Sequence, residues 1–395
     1  MKSFIFIIPS AVLLTVSIFG HGSADNPPGD EVRKIVFPDT TSYQTLVFDP
    51  HTHSVFSDGH VWPRIRVGEA FRDGLDALAI TEHLEYQPHI ADIPHPDRNR
   101  AYEDAVQAAS HSDLIIVPGA EITRDMPASH MNALFILDAN ELYWVPKSAE
   151  PYNSRVFTDT ALQWPPQNAV KAANEQGAFV FWNHAWWTKD FPNGIPSVSD
   201  FHLNNIRDGL LHGIEIANGE DYSEEAFQIA LDNGLTLIGS SDVHNLVDWD
   251  YQPHKGGHRP VTLVLASERT TDSMKEAMFG RRTVVWFKNL LIGRAQHLNP
   301  LLEACLSLHD ASYTPKDILT VSITNKSDAD FQLRNLSPFG FHDQGDLITV
   351  AQHSTQRFMV KTGLRIESIV LEFEVLNAYT APRKTATLVL QSQIR

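Results

Sequence analysis

From Thr45 to about Phe287, short and nearly continuous apolar runs alternate with stretches whose apolar positions recur every three to four residues. Continuous apolar runs are the signature of strands buried on both faces. They predict strands at Thr45–Asp49, Ala77–Thr81, Leu114–Pro118, Met131–Leu137, Ala178–Trp182, Gly213–Ala217, Leu235–Gly239 and Val261–Ala266. The helical periodicity predicts helices at Pro63–Asp73, Gln167–Gln176, Ser223–Asn233 and Thr271–Phe279. Pro63 suits a first helical turn, and Gly74, Gly177, Gly234 and Gly280 stand where helices end. Such β/α alternation implies a parallel sheet, closed into a barrel or doubly wound.

The pattern changes after about Asn289. Alternation with period two marks Ile318–Thr324, Leu347–Val350, Gln356–Val360, Ser368–Val375 and Thr385–Gln391, separated by turn signals such as Asn325-Lys326-Ser327-Asp328. That is the pattern of an antiparallel, Ig-like β-sandwich of about 100 residues. The chain therefore divides into an α/β barrel over residues 45–290 and a sandwich over 291–395.

The N-terminus reads as a secretory signal over residues 1–24. Lys2 precedes an apolar run from Phe4 to Phe19, and small residues around Gly20-His21-Gly22 and Gly22-Ser23-Ala24 offer cleavage sites. The run is shorter than the ~20 residues of a membrane span, so no stable span is expected after cleavage, and an uncleaved anchor is the alternative. Residues 25–44 resemble a tether, and the mature chain is expected to be periplasmic or secreted.

Composition narrows the chemistry. Of the 395 residues, 48 are acidic and 31 basic, a formal net charge of −17, which disfavours a nucleic-acid polymer as partner. The single cysteine, Cys305, excludes an intrachain disulfide and a thiolate zinc site. The 19 histidines are conspicuous because many stand beside carboxylates at the C-terminal ends of predicted strands. Both parallel barrels and open α/β sheets build their sites there. Strand one runs into Asp49-Pro50-His51-Thr52-His53, followed by Ser57-Asp58-Gly59; strand two ends in Thr81-Glu82-His83, and strand three in Gly119-Ala120-Glu121. His130 precedes strand four, His184 follows strand five, and strand seven leads into Ser241-Asp242-Val243-His244. Side chains two apart on a strand point the same way, so His51 with His53, and Asp242 with His244, can grip an ion. A lone histidine there is more often a hydrogen-bonded polar group than a ligand, and a lone glutamate is usually solvated; together they point to a metal centre of imidazole and carboxylate, suited to Zn, Mn or Fe.

In order and spacing these motifs resemble the PHP (polymerase and histidinol phosphatase) domain, a distorted seven-stranded β/α barrel with a trinuclear metal centre. His51-Thr52-His53 with Ser57-Asp58-Gly59, Ile80-Thr81-Glu82-His83, Gly119-Ala120-Glu121 with Ser129-His130, Asn183-His184 and Ser241-Asp242-Val243-His244 carry the likeness. Glu82 replaces the more usual Asp of the second motif, at a position that is not usually a ligand. The resemblance implies three divalent ions. The first would be held by His51, His53, Glu121 and Asp242, the second by a bridging Glu121 with His130 and His184, and the third by Asp58, His83 and His244. It further implies phosphate-ester hydrolysis by a metal-bridging hydroxide.

Around this core, Arg124 is a candidate phosphate contact or a surface arginine, and Trp186 and Trp187 are candidates to line an apolar pocket, with Trp182 in the core. Glu85, Tyr86 and Asp49 are candidates to orient the imidazoles. The stretch His254–Arg259 could supply a leaving-group acid or be an exposed loop. Leader, barrel and sandwich together are similar to exported bacterial PHP phosphodiesterases acting on organophosphate diesters, which implies a small-molecule diester as substrate. A phosphomonoesterase for nucleotides or sugars, a surface-binding module with a degenerate enzyme domain, and a carboxylic ester, amide or lactone hydrolase are the alternatives. Oligomeric state is not legible.

Overall fold

The structure is a computed structural model that describes residues 34–146 and 152–395; the expected signal at residues 1–24 lies outside them. No helix among the described residues is long and apolar enough to cross a membrane. Eleven strands, one of them of only two residues, make the first part of the chain: β1 Gln44–Asp49, β2 Ala77–Ile80, β3 Ile115–Ile122, β4 Met131–Leu134, β5 Phe179–Trp182, β6 Gly213–Asn218, β7 Asp221–Tyr222, β8 Thr236–Ser240, β9 Val261–Ala266, β10 Thr283–Phe287 and β11 Leu290–Gly293. Their spatial order is β11-β10-β9-β1-β2-β3-β4-β5-β6, with β8 also paired to β6. The ring closes just past β1 and β8, where Thr52 bridges Val243 and the Asp242 N–H donates to the His51 carbonyl at 2.9 Å. A distorted barrel results, as the resemblance implies.

The expected parallel sheet is not parallel throughout. β4 runs antiparallel to both β3 and β5, and β9 antiparallel to β1. Only residues 123–130 join β3 to β4, too few for the crossover of a dozen or more that a parallel pair requires. The helix Pro63–Asp73 forms as the proline and glycine signals indicate, and Gly74 closes it in the left-handed conformation at φ 69°. Part of the expected tether is also packed: Ile35 and Phe37 are buried, and Phe37 meets Trp286 edge-on at 5.1 Å.

Seven strands form the second part: β12 Leu306–Tyr313, β13 Leu319–Asn325, β14 Phe331–Asn335, β15 Leu347–Val350, β16 Thr355–Val360, β17 Ser368–Ala381 and β18 Lys384–Gln393. β15-β14-β17-β18 make one sheet and β12-β13-β16 the other. Alternate residues of β17, such as Leu371, Phe373 and Val375, are buried between them with Val321 and Ile323 of β13. β17 also pairs in parallel with β11, Leu291 opposite Ala378 and Ile292 opposite Tyr379, so one sheet continues from barrel into sandwich. The helix Ala295–Cys305 packs Leu298, Leu301 and Leu302 into a core shared by both parts.

Candidate metal centre

Strand geometry brings the histidines and carboxylates together as their positions at strand ends predict. His51 and His53 turn their Nε2 atoms toward each other at 3.0 Å. The Asp242 Oδ1 atom lies 3.2 and 3.0 Å from those nitrogens, and Glu121 Oε2 lies 3.5 and 3.3 Å from them. On its other side Glu121 faces His130 Nδ1 at 2.9 Å and His184 Nε2 at 3.7 Å through Oε1, while His83 Nδ1 sits 2.8 Å from Oε2. Asp58 Oδ1 stands 3.1 Å from His244 Nε2, 3.5 Å from His83 Nε2 and 3.8 Å from His53 Nδ1. Three overlapping groups could each hold an ion: His53, Asp58, His83 and His244; His51, His53 and Glu121; His83, Glu121 and His130. His53 and His83 thus face more than one group, which the assignment by resemblance does not foresee.

The donor set fits divalent cations on physical grounds. Asp58 Oδ1, Glu121 Oε2 and Asp242 Oδ1 are buried without a hydrogen-bond partner, each facing imidazole nitrogens. An unsatisfied buried polar atom costs about 1–3 kcal/mol, more when charged, and bound cations would remove that penalty. Charge perturbations agree. Burial opposes ionisation of Glu121, Asp242 and Asp58, yet the neighbouring imidazoles hold all three carboxyls below the usual carboxylate range. Burial likewise opposes protonation of His51, His83, His184 and His244, and the carboxylates outweigh it, raising all four. His130 is lowered, because there burial prevails over Glu121. The cluster stabilises positive charge in its middle.

Local backbone and supporting side chains fix this geometry. His184 and Asp242 adopt φ of 26° and 50°, in the left-handed region that non-glycine residues enter at a cost. Gly59 lets the loop carrying Asp58 fold back: a Cβ there would lie 2.7 Å from the His53 carbonyl carbon. Glu82 accepts from the Ser54 N–H at 3.0 Å and the Ser57 hydroxyl at 2.5 Å, steadying the same loop without joining the cluster. Asp49 accepts from the Ser241 N–H and hydroxyl and pairs with buried Arg259, so it anchors the Asp242 strand end rather than an imidazole. Glu85 pairs with Arg124 at 2.7 Å; burial pushes its carboxyl up to about 7 against the pull of that guanidinium.

Glu215 on β6 is the functional residue that the sequence reading missed. It is fully buried. It meets His51 Nδ1 at 2.8 Å and accepts from the Ser240 hydroxyl at 2.5 Å, the His184 N–H at 2.6 Å and Asn218 Nδ2 at 2.9 Å. A carboxylate on the far nitrogen of a ligating imidazole fixes its tautomer and orientation. Its signal was a lone acid inside the apolar run Gly213-Ile214-Glu215-Ile216-Ala217, since buried acids are rare unless paired.

A cavity of about 620 Å³ opens over the cluster. Trp186 and Trp187 line it, and the Trp187 ring lies 5.1 Å from that of His130 and 5.4 Å from that of His184. Tyr86 and Arg124 line it too, but Arg124 is almost fully buried and also donates to the Ala161 carbonyl at 3.0 Å. Trp182 is core. The stretch His254–Arg259 contributes nothing to this cavity: Arg259 is buried against Asp49 and Asp73, and His258 stacks on Trp286 at 3.4 Å.

A barrel with such a cluster at its strand ends, followed by a sandwich, is the architecture that the resemblance implies. The comparisons agree. A family model described as an Ig-like domain matches residues 306–391. A crystal structure from Bacteroides vulgatus, of a two-domain protein assigned a PHP-like metal-dependent phosphoesterase, is 36% identical, covers 91% of this chain and 98% of its own, and superposes with a TM-score of 0.80. The chain belongs to this family of two-domain PHP-like proteins. A protein from Bifidobacterium adolescentis assigned as a metal-dependent phosphoesterase is 20% identical over 59% of this chain and 96% of its own, with a TM-score of 0.39. An amidohydrolase from Chromobacterium violaceum is 17% identical over 50% of this chain and 87% of its own, with a TM-score of 0.34. No curated protein matches the chain.

Proposed function

We propose that this chain is an exported metal-dependent phosphoesterase that prefers small phosphodiesters, using three divalent ions of Mn, Zn or Fe. The observation that carries this reading is the set of three buried, unpartnered carboxylate oxygens of Asp58, Glu121 and Asp242 facing six imidazoles across one cavity floor. His51, His53, Glu121 and Asp242 would hold the first ion, Glu121, His130 and His184 the second, and Asp58, His83 and His244 the third. Bound there, the ions would supply Lewis acidity, lowering the pKa of water and neutralising the non-bridging phosphoryl oxygens. The chain's own part is to fix the ligands, through Glu215 and Glu82, and to exclude water beside the indoles of Trp186 and Trp187.

Charge supports a diester. Beyond the proposed ligands, the basic side chains lining the cavity are Arg124 and Lys189, and each is already paired with a carboxylate, Glu85 and Asp125, so few cations are left for a second phosphate charge. A monoester carries nearly two charges at pH 7, because its second pKa is about 6, whereas a diester carries one. The wall meanwhile offers tryptophans for a second ester arm. Turnover of bis(4-nitrophenyl) phosphate and 4-nitrophenyl phosphate, after loading with Mn, Zn or Fe, tests the reading. A higher kcat/KM for the diester is expected; a monoester preference that survives Trp186→Ala and Trp187→Ala would overturn it. Export is tested by cell fractionation, where a full-length cytoplasmic protein would refute it.

A further inference from the structure

Beyond the cluster, the cavity wall holds one ordered relay. The Trp187 ring stands within 5.1 to 5.4 Å of the His130 and His184 rings, and the Lys189 ammonium caps the same indole at 5.1 Å from its centre. Lys189 and Asp125 both line the cavity, paired at 2.8 Å with their side chains 57% and 67% exposed. An ion pair so solvated is weak and exchangeable, so another anion can take the place of the Asp125 carboxylate. Arg124, the other basic residue of the wall, has no such freedom, because Glu85 and the Ala161 carbonyl hold it. Lys189 is therefore the accessible cation of this cavity among the described residues, one indole's width from the imidazoles.

The loop that carries it is braced. The Ser129 hydroxyl donates to Asp190 at 2.7 Å, and the N–H groups of Asp190 and Phe191 donate to the Trp187 carbonyl at 3.0 and 2.8 Å. Residues on either side of Lys189 are thus fixed while its own head group reaches solvent.

We propose that Lys189 is a specificity-determining residue that selects phosphodiesters whose flat ester arm ends in an anionic group. The phosphoryl group would sit at the cluster, the arm would run beside Trp187, and the terminal carboxylate or phosphate would replace Asp125 at Lys189. This rests on the phosphoesterase reading above.

The test is equilibrium binding to the metal-loaded full chain by calorimetry, with methyl phenylphosphonate and methyl 4-carboxyphenylphosphonate, whose phosphonate esters carry one charge as a diester does, as probes. The wild type is expected to favour the carboxylated probe. Lys189→Gln should cut the ratio of the two affinities by about two- to fivefold, the weight of one exposed ion pair. Asp125→Asn should raise the ratio, because it removes the competing carboxylate; a variant that only perturbed the loop would change both affinities alike and leave the ratio unmoved. If both probes bind and neither variant moves the ratio, the Lys189 assignment falls and the phosphoesterase reading stands. If neither probe binds, both fall.

Discussion

Replacing Glu215 with glutamine should weaken metal binding although no proposed ligand is touched. Each carboxylate oxygen serves two partners: Oε1 meets His51 Nδ1 at 2.8 Å and the Ser240 hydroxyl at 2.5 Å, and Oε2 accepts from the His184 N–H at 2.6 Å and Asn218 Nδ2 at 2.9 Å. With His51 Nε2 turned to the cluster, Nδ1 carries the proton, so all four neighbours are donors. An amide has one oxygen. Whichever way the new amide turns, its NH2 group confronts two donors, and two charge-assisted bonds of about 1.5–3 kcal/mol each are lost. The Ser240 hydroxyl can rotate to accept, which places the expected loss near the low end, about 3 kcal/mol. Part of this reappears as misorientation of His51 and His184, for which a 10- to 100-fold loss of metal affinity is the usual scale, or about 1.4–2.8 kcal/mol. Chelator competition measures the affinity, and urea unfolding with and without metal measures the stability. A Glu215→Gln variant whose metal affinity stays within twofold of wild type would refute the role given to this carboxylate.

Other outcomes follow from the same geometry. Glu121→Ala should remove two ions at once, because its two oxygens face different imidazoles; elemental analysis showing a single loss would contradict the bridge. His202 is buried against Trp182 with ring centroids 4.0 Å apart, and burial lowers its pKa to about 4. It stays neutral in the folded chain while the unfolded chain takes up protons below about 6.5, so its contribution is complete above that pH and lost as pH falls toward 4. About 2 kcal/mol of stability should disappear between pH 7 and pH 5, and His202→Gln should flatten that slope in chemical denaturation. Cys305 is buried and burial pushes its thiol up to about 12, so it should resist alkylation at pH 8 until the chain is unfolded, as mass spectrometry would show.

Much of this was legible because burial on both faces leaves a continuous apolar run. The predicted strands of the barrel match the observed ones to within a few residues, with β3 longer than expected because Gly119–Ile122 extend it into the cluster. The missed elements have specific causes. The helix Arg100–Ala109 buries only Ala101, Ala105 and Ala109, a stripe too slight to register as an apolar face. The helix Ala295–Cys305 contains Pro300, which ordinarily argues against a helix interior. In β14, Gln332 and Arg334 alternate with buried Phe331, Leu333 and Asn335, so one inward position is itself polar and the strand's pattern is weak. At the cluster, histidines at strand ends were readable, whereas Glu215 acts through a tertiary contact to a residue 164 positions away. Arg124 illustrates the converse, since proximity in sequence to Glu121 did not reveal the partner that occupies it.

The parallel pairing of β11 with β17 has a consequence for anyone recutting this gene. Ending the chain near residue 290 would delete β11 and leave the backbone donors and acceptors of β10 facing solvent; ending it near 305 would do the same to β11. A bare, apolar edge such as Val284–Phe287 or Leu290–Gly293 is a template for pairing with other chains. The sandwich would then serve the barrel as an edge cover, and a shortened protein should fail by sticking to itself before it fails by losing its metals.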